Sequence, residues 1–158
     1  MIVCCSSCNH SVNSCLDGFV PETITETGDS VRVLIISTFT LRPGTLVDVR
    51  VIGVIQMADE KGPDQKILAV VNSDPRSAEL LNIDNVPAHR KKEIMHFFKT
   101  YKDLEATKFV EMREFGDRDA AYKLITEAHE RYIRVKSGGT HPTEGTAAAP
   151  IEAQKSVE

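Results

Sequence analysis

The run LVDVRVIGVIQM, residues 46 to 57, constrains the fold more than any other part of the chain. Val47, Val49 and Val51 alternate with Asp48 and Arg50, the two-residue period of a strand with one apolar face. The phase then shifts near Gly53, which predicts a long strand carrying a bulge. Two more runs read as buried strands by their β-branched, apolar content: VRVLIIS at residues 31 to 37 and KILAVV at residues 66 to 71. Between the long strand and the last of these lies MADEKGPDQK, residues 57 to 66, a charged stretch around a Gly-Pro pair that reads as the tip of a hairpin. Its carboxylates would crowd together at one end of a sheet.

The rest of the chain is helical or irregular. Residues 72 to 87 carry two prolines among Asn, Asp and Ser and read as a loop with one short helical turn. Pro87 opens a helix in which Ile94, Phe97, Phe98 and Tyr101 share a face. Residues 108 to 112 form a short strand, and a second helix runs from Asp117 to Ile133 with Ala121, Leu124, Ile125, Ala128 and Tyr132 on one stripe. Strands first and helices last predict an α+β fold, mainly β, rather than alternating βαβ units. The expected division is an irregular Cys-rich segment over residues 1 to 16, one domain over 17 to 136, and a disordered tail over 137 to 158 that almost lacks large apolar residues.

Bulk properties exclude several classes. With 41% apolar and 27% charged residues, the 158-residue chain has the composition of an ordinary globular domain. A net charge of −4 gives no electrostatic footprint for nucleic acid. The apolar stretches fall short of the roughly 20 residues a membrane helix needs, and the opening residues lack the charge and apolar run of a secretory signal. A cytoplasmic protein that binds neither nucleic acid nor membrane is expected. Cys5, Cys8, His10 and Cys15 are zinc-ligand types, but they fall within eleven residues instead of in two separated pairs. The expected state is a reduced segment without a disulfide. His89, His96, His129 and His141 show no ligand spacing.

Taken in order, GDSVRVLI, LRPGTLVDVRVIGVIQMADEKGPDQKILAV and VPAHRKKEIMHFFKTYKDLE resemble soluble family I inorganic pyrophosphatases. The resemblance covers about residues 17 to 134 and rests on a strand, an acidic loop with aspartates five apart and a lysine two further on, and a helix ending in Tyr-Lys. It implies an OB-like barrel with C-terminal flanking helices, Mg²⁺-dependent hydrolysis of diphosphate to two phosphates, and a homo-oligomer. By the same resemblance Asp59 and Asp64 would bind metal, Lys66 would contact phosphate, and Tyr101 and Lys102 would hold the product-side phosphate. Asp29, in TGDSVRV, matches the middle aspartate of the family's Asp-x-Asp-Pro-x-Asp signature, which helps deprotonate the attacking water. The chemistry suits these types: hard Mg²⁺ takes carboxylate oxygens, and cations must screen a polyanion before a nucleophile can reach phosphorus.

The chain also departs from that pattern. Thr27 and Arg32 stand where the signature has its first and third aspartates, Ser30 replaces its proline, and Asp17 replaces a tyrosine ten residues upstream. Arg32 puts a positive charge where the family has a ligand shared between metals, which predicts weakened metal affinity. The family's N-terminal half has no counterpart in MIVCCSSCNHSVNSCL, so an incomplete barrel is expected. Two further readings therefore stand beside the enzyme: an inactive relative that binds phosphate or another subunit, and a truncated gene product. Residue by residue, a solvated hairpin tip explains Asp59 and Asp64, core packing explains Tyr101, a cation near a helix C-terminus explains Lys102, and a shaped turn explains Asp29.

Overall fold

A computed structural model describes residues 1–7, 15–60, 62–104 and 109–138. Seven strands form one sheet: β1 Ile2–Ser7, β2 Cys15–Phe19, β3 Arg32–Ile36, β4 Leu46–Asp59, β5 Gly62–Pro63, β6 Lys66–Val71 and β7 Val110–Gly116. Five of them close into a ring in the order β1-β2-β3-β6-β4, with β4 pairing back onto β1. Every pairing is antiparallel except β3 with β6, which run parallel with Arg32 opposite Lys66. Two helices flank the ring, α1 Ala88–Thr100 and α2 Arg118–Lys136.

β1 corrects the sequence reading of an irregular opening and of an incomplete barrel. Ile2, Val3 and Cys4 pair with Asp48, Val47 and Leu46, while Cys4 and Cys5 pair with Phe19 and Gly18. These few residues supply the ring's closing strand. Cys8 and His10 of the cysteine cluster weighed as zinc ligands, and all but the first two residues of the expected tail, lie outside the described residues. The strand expected at residues 108 to 112 appears further along, because its partners are residues 54 to 59 of β4.

The bulge at Gly53 decides which side chains face where. Val47, Val49 and Val51 belong to one apolar cluster, together with Val33, Ile35 and Ile67 and with Ala121 and Ala128 from α2. After Gly53 the parity reverses, so that Ile55 and Met57 join Leu34, Leu68 and Val70 in a second cluster under Ile94 and Phe98 of α1. The register of β4 against β6 shifts between Val51 and Gly53, as the broken alternation requires. β3 and β6 are apolar on both faces because α1 covers one side and the ring interior the other.

α2 does more than cover the ring. It starts at Asp117, whose carboxylate accepts from the Ala120 N–H at 2.8 Å, a cap that satisfies one of the helix's orphan donors. Its far half grips the segment between β2 and β3: the Ala128 carbonyl accepts from the Ile24 N–H at 3.0 Å, and Arg131 donates to the Ile24 carbonyl at 2.7 Å. The His129 ring lies 2.8 Å from the Glu22 carbonyl oxygen. That segment carries Thr27 and Asp29.

Candidate functional site

A cavity of about 380 Å³ opens where β3, β6, the hairpin tip and the end of α1 meet. Of the six residues singled out from sequence, Asp29, Asp59, Asp64, Lys66 and Tyr101 line it. The sixth, Lys102, reaches it through Asp59, donating to Oδ2 at 2.8 Å and to Glu60 at 3.2 Å. The same cavity is lined by the two departures from the signature, Thr27 and Arg32, and by Asp17.

One wall is the charged hairpin. Asp59 ends β4 and Asp64 follows β5, and each carboxylate is met by an ammonium group: Lys102 on Asp59, and Lys66 on both oxygens of Asp64 at 3.0 Å. Burial works to lower the pKa of the Lys102 ammonium, but its bonds to Asp59 and Glu60 outweigh this and leave it raised. Lys102 is therefore a fixed cation. A hydrogen bond from its own backbone, and then Lys102, hold the Glu60 carboxyl below the ordinary range. Lys66 also lies 5.7 Å from the centre of the Phe98 ring, within the reach of a cation–π contact.

The aromatic floor comes from α1. Tyr101 stacks on Phe97 with ring centres 5.7 Å apart and meets Phe98 edge-on. At 40% exposed it is not the core residue that its place on the apolar stripe suggests. Desolvation raises its phenol pKa even though neighbouring Lys102 pulls the other way. The hydroxyl is a donor, not an anion, near neutral pH.

The facing wall belongs to the segment between β2 and β3. Thr25 and Thr27 share a hydrogen bond at 3.0 Å, and Thr25 binds the Asp29 carbonyl through both its N–H and its hydroxyl. Arg32 forms an ion pair with Asp17. Sequence reasoning marked both residues as departures without joining them; fifteen positions separate them, and only the register of β2 on β3 brings them within reach.

Cys15 lines the floor beside this wall. Burial pushes its thiol up to about 11, and nearby Arg90 only partly opposes this. In the native chain Cys15 is expected to stay unalkylated by iodoacetamide at pH 8, read by mass spectrometry; rapid labelling would refute the burial argument. The raised value also has a sign for stability. Between the ordinary 9.0 and about 11 the folded chain holds a proton that the unfolded chain has lost, so stability falls as pH rises through that window.

A closed ring of mixed strands, with carboxylates and ammonium groups around a mouth at its rim, defines a small β protein with a charged cleft. The sequence profile of the inorganic pyrophosphatase family matches residues 6–133. The inorganic pyrophosphatase of Thermus thermophilus is 44% identical over 117 residues, which make up 73% of this chain and 67% of that protein. For the inorganic pyrophosphatase of Agrobacterium fabrum the identity is 47%, over 73% of this chain and 66% of the other. The crystal structure of the Thermus thermophilus inorganic pyrophosphatase superposes with a TM-score of 0.79 and 34% identity, covering 84% of this chain and 91% of that one. The chain belongs to the inorganic pyrophosphatase family. It spans about two thirds of the length of the two relatives compared by sequence.

Proposed function

We propose that this chain hydrolyses inorganic diphosphate to two phosphates in the cleft, with Mg²⁺ as cofactor. The observation that carries the reading is the convergence of Asp59, Asp64, Lys66 and Lys102 on one wall, opposite Asp29. Family membership supports it, and with it a homo-oligomer acting in the cytoplasm.

Whether the residues suit Mg²⁺ turns on the donor set. Among the described residues no three Asp, Glu, His or Cys side chains come together as a metal cage. Mg²⁺ does not ask for one: it is bound through one or two carboxylates, substrate phosphates and water. Asp59 and Asp64 meet that requirement on the hairpin wall, whereas the Arg32 side of the cleft offers a guanidinium and does not. Asp59 and Asp64 would hold Mg²⁺, which would supply charge neutralisation on the phosphoryl oxygens.

The remaining work falls to the chain's own groups. Lys66 and Lys102 bind phosphate oxygens as point charges, and the Tyr101 hydroxyl donates a hydrogen bond alongside them. Asp29 orients the attacking water and accepts its proton. The aromatic floor of Phe97 and Phe98 limits water on one side of the mouth, which strengthens each charge interaction inside.

A second reading, a silent phosphate-binding relative, is favoured by Thr27 and Arg32 on the cleft wall. Phosphate release from diphosphate by the purified chain, with and without millimolar Mg²⁺, separates the two. Metal-dependent release is expected. Release at the level of a protein-free blank would overturn the enzyme reading in favour of the silent one.

A further inference from the structure

Arg32 is the first residue of β3 and Lys66 the first of β6, and the parallel register sets them directly opposite each other. Directly opposed residues on neighbouring strands project to the same face. Here both side chains enter the cleft, so a guanidinium and an ammonium stand side by side along its rim. Elsewhere the lining offers carboxylates, from Asp29, Asp59 and Asp64. An anion entering this cleft meets unlike charge mainly along that one edge.

Asp17 determines where the guanidinium waits. It sits on β2, two residues from Phe19, the direct partner of Arg32, and so reaches Arg32 on the diagonal. Arg32 binds it through Nη2, which leaves the Nε and Nη1 donors of the planar fork uncommitted to that carboxylate. The Arg32 side chain is 46% exposed. Asp17 parks the charge at the wall. A half-exposed ion pair of this kind is weak and is readily exchanged for a better partner.

A phosphate group is that better partner, because its oxygens match the guanidinium fork with two parallel hydrogen bonds. We propose that Arg32 is a direct ligand for one phosphate of the bound diphosphate, acting with Lys66 as a two-cation clamp, and that Asp17 is the positioning residue that holds Arg32 ready and competes with the anion for it. The proposal rests on the reading of the cleft as a diphosphate site. It gives the residue that departs most from the family signature a binding role.

The test is calorimetric titration of diphosphate into the full chain, in millimolar Mg²⁺ and separately in chelator, with thermal melts to show that each variant is folded. Arg32→Gln is expected to weaken binding roughly 10- to 100-fold in Mg²⁺, the range of a lost charge-assisted hydrogen bond. Arg32→Lys restores part of that loss, since it keeps the charge without the fork. Asp17→Asn leaves Arg32 in place and removes its competitor, so binding tightens about threefold to fivefold, in line with a weak ion pair. This variant keeps the proposal testable even if Arg32→Gln folds poorly. Equal affinity of the wild-type chain and Arg32→Gln, weaker binding by Asp17→Asn, or no binding by the wild-type chain would each overturn the clamp. Arg32-dependent binding without phosphate release would sink hydrolysis and leave the clamp standing; phosphate release indifferent to Arg32 would do the reverse.

Discussion

Phosphate release by an Asp59→Ala/Asp64→Ala double variant is expected to fall by about two to three orders of magnitude relative to the wild-type chain at the same Mg²⁺. Charge stabilisation by a held cation contributes several kcal/mol to such a transition state, at about 1.4 kcal/mol per tenfold. These two side chains are the carboxylates proposed to hold the ion. The substitution also unpairs two cations. Lys102 keeps Glu60 at 3.2 Å, and Lys66 keeps its place near the Phe98 ring. Both pairs are part-buried, with 12–25% of each side chain exposed, so each loss costs about 1–3 kcal/mol. A thermal melt of the double variant is therefore read beside its turnover, so that a loss of turnover in a folded chain reports on the site and not on the fold. Turnover equal to the parent's would mean that the hairpin is only a solvated tip.

The second large effect concerns stability. Gly53 sits in the bulge of β4, where a Cβ would lie 2.8 Å from the Gly116 carbonyl oxygen on β7 and 3.2 Å from the Ile83 Cβ. Neither neighbour can yield cheaply: one is backbone in a strand ladder, and the other is the root of a buried side chain. Overpacking of this sort costs about 1–3 kcal/mol, and a backbone collision belongs at the upper end. For a chain of this size, about 3 kcal/mol lowers the melting temperature by about 6–12 °C. Gly53→Ala is expected to show that drop, and Gly53→Val a larger one. Denaturant and thermal melts measure it, and an unchanged midpoint for Gly53→Val would show that β7 moves aside at no cost.

Much of this architecture can be read from the chain because the signals are periodic. KILAVV became β6 with the bounds its apolar run implies, Pro87 precedes the first helix, and the broken alternation at Gly53 is a register shift in the sheet. β1 and β2 could not be read in the same way. IVCCSS has only two strong strand formers, and CLDGF is interrupted by a charge and a glycine. Yet the glycine is what the packing demands, since a Cβ on Gly18 would lie 2.8 Å from the Cys4 carbonyl oxygen. Close approach of two strands erases the local signal of one of them. The site divides along the same line. Asp59, Asp64 and Lys66 share one hairpin, so their spacing in sequence is their spacing in space. Asp17 and Arg32 meet only through a register that neither segment specifies alone.

The grip of α2 on Glu22 and Ile24 links two fluctuations that distance would otherwise keep apart. Regions of a protein open in cooperative units, and backbone bonds that bridge two elements place them in the same unit. When the far half of α2 frays, the segment bearing Thr27 and Asp29 loses its outer anchors and gains freedom. The rigidity of one cleft wall is thus set by the helical content of residues more than a hundred positions downstream. Their amide protons should exchange with solvent on a common clock.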